Sequence, residues 1–310
     1  MPSQISPPSV GIVILNYNHA KLTLDCIQSI SKQEYKNYRI VVVDNDSPDP
    51  KQKEILRTEI SKDVILIFNP QNTGYAAGNN VGARYCVEKL NSDYVFILNN
   101  DTILEDENTI KKLVEPLEKN DNIVAISPLV EDTNAAVHVR KKNQVRKLLS
   151  LRKMIICNIN YLGILPFFKK IVNEYLYVDL MPFSPCIHEV DSINGSAFMI
   201  SSWALKQINY LDEKTFLYYE ELVLGFQIKQ IHKTCALNGE IVVKHFQGLS
   251  TGNNKFKITW KMHKYAIESF VVLLKNYYHA SQGTIIFFKI SRIFDFVLRK
   301  IALRITNTFR

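Results

Sequence analysis

The sequence predicts an α/β protein built on a doubly wound sheet, and three observations carry that expectation. Short unbroken apolar runs rich in Val, Ile and Leu recur through the first third of the chain. Runs of this kind read as strands buried on both faces. Segments with helical spacing of apolar residues separate them, the alternation that gives parallel strands joined by crossover helices. Each run also stops abruptly in polar residues, and ligands of open α/β sheets sit just beyond the carboxyl ends of the strands.

Taken in order, Val10 to Leu15 is the first expected strand, ending in Asn16-Tyr17-Asn18. Lys21 to Lys32 has Leu22, Cys26, Ile27 and Ile30 at helical spacing. Tyr38 to Val43 is the second strand, closed by Asp44-Asn45-Asp46-Ser47. A polar helix over Lys51 to Ile60 and a strand over Val64 to Asn69 follow. Asn72 to Asn80 reads as a Gly-rich turn leading into a helix over Val81 to Lys89. Tyr94 to Leu98 is the central strand and ends in Asn99-Asn100-Asp101. Ile123 to Leu129 and Val190 to Ile200 are the later strands, and Val242 to Ser250 ends another strand with His245. Trp203 to Gln207 and Leu222 to Ile231 are the later helices, the first with Ser201-Ser202 as its cap. Lys261 to Tyr278 and Gly283 to Phe309 read as two amphipathic helices.

The 310 residues are 46% apolar, ample for a core of one or two domains. Met1 to Ser9 is polar and Pro-rich, so no secretory segment is expected there. Five scattered cysteines (Cys26, Cys86, Cys157, Cys186, Cys235) show no metal-ligand spacing and fit a reducing compartment. The net charge of +8 is uneven: Asn134 to Asn173 and Lys255 to Arg310 are each strongly basic, and the remaining body is acidic. Both basic segments are rich in Leu, Ile and Phe. No nucleic-acid motif accompanies them, which points away from nucleic acid and toward an anionic membrane.

The strand ends carry the chemistry. Asp101 beside Asn99 and Asn100 offers oxygen ligands to a hard divalent cation carrying phosphate. Asp44 can accept from a base N–H or a ribose hydroxyl, and it can equally close its own turn. Gly74 and Gly78 permit close approach of backbone to a neighbour or ligand. The stretch is neither a dinucleotide fingerprint nor a P-loop.

Four motifs, I-L-N-Y-N (14–18), V-V-V-D-N-D-S (41–47), N-T-G-Y-A-A-G-N-N (72–80) and I-L-N-N-D (97–101), resemble family 2 glycosyltransferases with a GT-A fold. The third is similar to the rhamnosyltransferase-like branch. The fourth stands where that family has a D-x-D metal motif, with Asn99 in place of the first Asp and Asp101 kept. The resemblance implies a nucleotide-diphosphate sugar as donor. Asn16, Asn18, Asp44, Asn72, Gly78, Asn79 and Asn100 are then the donor-side residues, and Asp101, with Asn99 as a weak ligand, holds Mg²⁺ or Mn²⁺.

Asn194-Gly195-Ser196 resembles the segment beside the donor sugar and acceptor, which adds Asn194 and Gly195 to the site. Phe216 to Glu221 is similar to F-[FLM]-x-Y-x-E-D, with Tyr218 and Glu220 matching and Glu221 where the Asp sits. Adjacent carboxylates at a helix start are favoured by the helix dipole and point in different directions. The resemblance implies that Glu221 is the general base, with Glu220 as the alternative. The Asp often found two residues later is Val223 here. The H-x-x-G-x-S run from His245 is similar to the family's post-catalytic segment, which implies that His245 helps bind metal or diphosphate.

The expected organisation is a GT-A domain over 1–254 and a helical, membrane-associating segment over 255–310. The domain divides into a nucleotide-sugar half (1–133), a basic insertion (134–189) and an acceptor half (190–254). Phe167 to Lys170 in the insertion suit a membrane-dipping loop. The expected function is inverting transfer to a hydroxyl of a lipid-linked saccharide at the cytoplasmic face of the cell membrane, in surface-polysaccharide assembly. Two rivals stand beside it. A sugar-phosphate nucleotidyltransferase needs a basic Gly-rich loop after the first strand, where Asn16-Tyr17-Asn18-His19 stands instead. A non-catalytic carbohydrate- or membrane-binding relative loses the metal acid or the base, and both acids are present.

Overall fold

The computed structural model describes residues 6–133, 144–159, 168–246 and 259–308, with side chains as far as 301. Four parallel strands form one half of a nine-stranded sheet: β1 (Val10–Asn16), β2 (Tyr38–Asp44), β3 (Ile65–Phe68) and β4 (Tyr94–Asn99). They stand in the order β3-β2-β1-β4. Helices α1 (Ala20–Ser31), α2 (Pro50–Glu59) and α3 (Gly74–Glu88) connect them. The reversal of strand order beside β1 is the switch point at which open α/β sheets bind ligands.

The sheet continues in mixed orientation. The further strands are β5 (Thr102–Ile103), β6 (Ile123–Asp132), β7 (Ile187–Val190), β8 (Ala197–Ser201) and β9 (Thr234–His245). β8 is antiparallel to both β4 and β6, and β9 runs parallel to β6. β5 and β7 pair antiparallel with β9. A helix α4 (Thr109–Lys119) precedes β6.

Alternate strand residues feed opposite layers, as the period of two requires. Val13, Val41, Val43, Val95 and Ile97 pack with Ala76, Ala83 and Cys86 of α3. Ile12, Ile14, Val42, Phe96 and Leu98 pack with Cys26 and Ile30 of α1 and with Leu113 and Leu117 of α4. A third cluster joins α5 (Leu151–Ile159), α8 (Glu220–Gln230), α9 (Trp260–Asn276) and α10 (Gln282–Thr308) through Met154, Leu222, Val223, Phe270 and Phe288. The short helices α6 (Lys169–Tyr175) and α7 (Ser202–Gln207) complete the chain.

Three elements differ from the sequence reading. The expected turn over Asn72 to Asn80 is the start of α3, which begins at Gly74. Small residues serve packing there, since a Cβ on Gly78 would come within 2.7 Å of Leu15 and one on Gly82 within 2.5 Å of Val13. The expected strand over Val190 to Ile200 is two strands. Asn194 Oδ1 accepts from Ser196 N and Oγ at 2.9 and 2.6 Å, an Asx turn that interrupts it. The strand whose end is read over Val242 to His245 begins at Thr234, and β9 runs through Asn238-Gly239 with a register shift against Pro128 and Leu129.

Phe168 is the N-cap of α6, and Lys169 and Lys170 are its first residues. Phe167, most of the basic run before Arg146, and the Gly248 and Ser250 positions of the His245 motif lie outside the described residues.

Candidate active site

The ends of β1, β2 and β4 meet in a buried polar network. Asn16, fully buried, donates from Nδ2 to Asp44 Oδ1 at 2.7 Å and to Ser47 Oγ at 3.2 Å. Its Oδ1 accepts from Thr23 Oγ1 at 2.9 Å and from Asn100 Nδ2 at 3.2 Å. Ser47 donates to Asp44 from both its hydroxyl and its backbone N–H. Asn16 and Asn100 are thus committed inside the protein and fix the Asp44 carboxylate. Asn18 follows at φ 61°, and its Oδ1 is buried with no hydrogen-bond partner among the described residues.

The start of α3 is tied to the same edge. Asn72 Oδ1 accepts from Gly74 N at 2.9 Å and from Asn45 Nδ2 at 3.1 Å. Asn45 is a hub that the sequence reading passed over: its Oδ1 accepts from Asn69 Nδ2 and Thr73 N. The polar run closing β2 was its only sequence signal. Asn79, fully buried, donates to Tyr75 O at 3.0 Å, and its Oδ1 has no partner among the described residues. Gly78 meets Leu15 and Asn45 rather than an open cleft.

Asp101 and His245, far apart in sequence, are brought together by the β5–β9 pairing, in which Thr102 stands opposite His245. His245 Nε2 lies 3.1 Å from Asp101 Oδ1, and Asn99 Nδ2 lies 3.4 Å from the same ring nitrogen. Phe246 N donates to Asp101 O at 2.9 Å and locks the register. A carboxylate, an imidazole and an amide suit Mg²⁺ or Mn²⁺. Among the described residues no group of three or more His, Cys, Asp or Glu could hold a metal. Asp101, His245 and Asn99 are fewer groups than such a cation coordinates, so a ligand's oxygens can complete its shell.

The acidic pair opens α8. Tyr218 and Tyr219 before it are both left-handed, at φ 75° and 67°, a conformation uncommon for bulky residues and concentrated at functional sites. Gly74, at φ +84°, clears this segment, since a Cβ there would meet Phe216 O at 2.4 Å. Tyr75 N donates to the same carbonyl at 2.9 Å, and the Tyr75 hydroxyl donates to Gly195 O. Tyr75 thereby ties the acidic turn to the Asn194–Gly195 turn, and Ser196 O in turn accepts from Asn99 N.

The two glutamates have different surroundings. Burial pushes Glu220 up to about 8, and the charge of Glu221 pushes the same way. Its Oε1 is buried with no hydrogen-bond partner among the described residues. Glu221 is also raised by burial, but its own backbone N–H and the Arg146 guanidinium act against that. Arg146 lies in the basic insertion and no motif marked it. Tyr218 is 40% exposed, the open side of the turn.

Residues 11–176, more than half of the chain, match the family described as Glycosyl transferase family 2, and the chain belongs to that family. The low-salt glycan biosynthesis hexosyltransferase Agl10 of Haloferax volcanii is 28% identical over 221 residues, 71% of this chain and 62% of that protein. Glycosyltransferase GlyG of Streptococcus pneumoniae is 27% identical over 118 residues, 38% of either chain. This chain thus spans less than two thirds of the length of these relatives. Among solved structures, GalNAc-T7 with UDP, GalNAc and Mn²⁺ superposes with a TM-score of 0.61 at 14% identity, over 87% of this chain and 48% of that one. The mannosyltransferase PcManGT of Pyrobaculum calidifontis, in complex with GDP-Man and Mn²⁺, gives 0.58 at 13%, over 98% and 76%. These likenesses establish a GT-A fold. They do not single out the rhamnosyltransferase-like branch.

Proposed function

We propose that the protein is an inverting, metal-dependent glycosyltransferase that moves a sugar from a nucleotide-diphosphate sugar to an acceptor hydroxyl. The observation that carries the reading is the pairing of Asp101 with His245 at the end of β4, beside the edge that holds Asp44. The two named structural neighbours bind UDP or GDP-Man together with Mn²⁺. Asp101 and His245, with Asn99, would hold Mg²⁺ or Mn²⁺, which when bound neutralises the leaving diphosphate. Asp44 receives the base or ribose, and Asn18 and Asn79 offer unpartnered oxygens nearby. Asn16, Asn72 and Asn100 hold that edge in shape.

Glu221 is the base in this reading. Its charge is among the causes that raise Glu220, while its own backbone N–H and the Arg146 guanidinium act against its rise by burial, so Glu221 is the more readily ionised of the two. Environments that push two neighbouring carboxyls apart assign their roles. Glu221 takes the proton of an acceptor hydroxyl as that oxygen bonds to the anomeric carbon and the bond to the diphosphate breaks. One displacement inverts the centre, and no covalent nucleophile is needed. Asn194, Gly195 and Tyr218 line the sugar and acceptor side. The favoured acceptor is a lipid-linked saccharide at the cytoplasmic face of the cell membrane, a reading supported by the two basic, apolar-rich segments. No helix among the described residues is long and apolar enough to cross a membrane.

The test is release of nucleoside diphosphate from a panel of donors with Mn²⁺. Asp101→Ala should abolish metal-dependent turnover. Glu221→Gln should keep donor binding and lose transfer by roughly 10²–10⁴-fold. A dead Glu220→Gln beside a working Glu221→Gln would move the base by one residue.

A further inference from the structure

Helix α10 has two apolar faces, and the fold uses one. Ile285, Phe288, Arg292 and Asp295 are buried against α9 and α5. Ile286, Phe287, Ile290, Ile293, Phe294, Val297, Leu298 and Ile301 are exposed, with Ile290 at 62% and Phe294 at 61%. Their spacing of three and four places them on one stripe about 22 Å long. Nothing among the described residues covers it. Apolar surface of this extent marks an interaction site.

We propose that this stripe is the seat of an anionic lipid bilayer, on which α10 lies in the plane of the interface. Charge complementarity selects that occupant over an apolar protein groove. Lys289 and Lys300 are exposed along one edge of the stripe, while Asp295, the one acid of the helix, is turned inward against Arg292 and Arg299. Trp260 at the start of α9 is 47% exposed, packs its ring 5.1 Å from that of Phe296, and adjoins the exposed Lys261 and Lys264. An apolar stripe with a basic edge and a Trp beside it fits the headgroup boundary. The inward face explains why the helix seats rather than inserts, because Arg292 donates to Asn158 O at 2.9 Å and anchors α10 to the body. The choice of lipid rests on the membrane location read above; the surface itself does not.

The test is co-flotation of the full chain with zwitterionic vesicles and with vesicles containing phosphatidylglycerol, at low and high salt. The wild type should partition at least tenfold better onto the anionic vesicles, with salt reducing the difference. Phe287→Ser/Phe294→Ser should lose about tenfold or more on both. Lys289→Glu/Lys300→Glu should lose the anionic preference. Trp203→Phe leaves Trp260 as the sole indole, and its emission should shift to the blue on binding. If the double Ser variant fails to fold, Ile290→Ser alone makes the same test. Wild-type protein that stays in solution with both vesicles overturns the proposal. So does a concentration-dependent dimer abolished by the Ser variant, which would make a second copy the occupant. Donor turnover in solution is read separately, so failure of the catalytic reading leaves vesicle binding intact, and the reverse.

Discussion

The Tyr219 hydroxyl donates to Asn158 Oδ1 at 2.7 Å. That bond joins the left-handed turn before the acidic pair to α5, and Arg292 of α10 donates to the backbone oxygen of the same Asn158. The Tyr219 ring also packs 4.9 Å from Phe270, which packs 4.5 Å from Phe288. The C-terminal helices therefore form the back wall of the turn that presents Glu220 and Glu221.

Tyr219→Phe keeps the ring and removes the hydroxyl, leaving the buried Asn158 acceptor with one bond fewer. A loss of about 1–3 kcal/mol is expected, the usual cost of stranding such a group. If the bond positions the acids, kcat falls several-fold while KM for the donor stays. Steady-state kinetics on wild type and variant makes the comparison; equal kcat values would assign the bond to stability alone.

Phe288→Ala tests whether α10 belongs to the folded core. Phe288 is fully buried in the third cluster, so truncation should cost about 3–5 kcal/mol in denaturant unfolding. A loss below about 1 kcal/mol would mean that α10 is only loosely attached.

Glu220 sets a pH dependence whose sign is fixed. Its folded value, near 8, lies above its ordinary value of 4.5, so between those limits the folded state holds a proton that the unfolded chain has lost. Its contribution to stability is present below pH 4.5 and is lost as pH rises through 8. Glu220→Gln should therefore gain melting temperature relative to wild type on going from pH 5 to pH 8.5. A pH-independent difference between the two proteins would contradict the burial argument.

His245→Ala should weaken Mn²⁺-dependent donor binding without unfolding the protein, because β9 continues to pair with β6 through Val242, Val243 and Lys244. Donor affinity with and without Mn²⁺ measures this, and an unchanged metal dependence would remove His245 from the cation site.

Much of this was legible in the sequence because the relevant physics is local. Val10 to Leu15, Tyr38 to Val43 and Tyr94 to Leu98 are unbroken apolar runs, and each lies in a parallel strand. Their polar ends marked the sheet edge where Asp44 and Asp101 stand. Long-range packing hid the rest. Gly74 to Asn80 looks like a turn because helical glycines are read as breakers, whereas here they admit Leu15 and Phe216. Arg146 and Asn158 stand in a segment without a motif and gain meaning only where the fold sets them beside Glu221 and Tyr219. Tyr75 was visible inside the Asn72–Asn80 motif, but its bond to Gly195 was not.

The most direct test of the central claim is a thermal-shift titration of nucleoside diphosphates and nucleotide sugars, with and without Mn²⁺, on wild type and Asp101→Ala. A ligand that binds only the folded state raises the melting temperature by mass action. The account expects one nucleotide class to stabilise the wild type in a Mn²⁺-dependent way, and that dependence to vanish in Asp101→Ala. No shift with any nucleotide in the millimolar range, or an equal shift in the variant, would contradict a metal-assisted donor site at the end of β4.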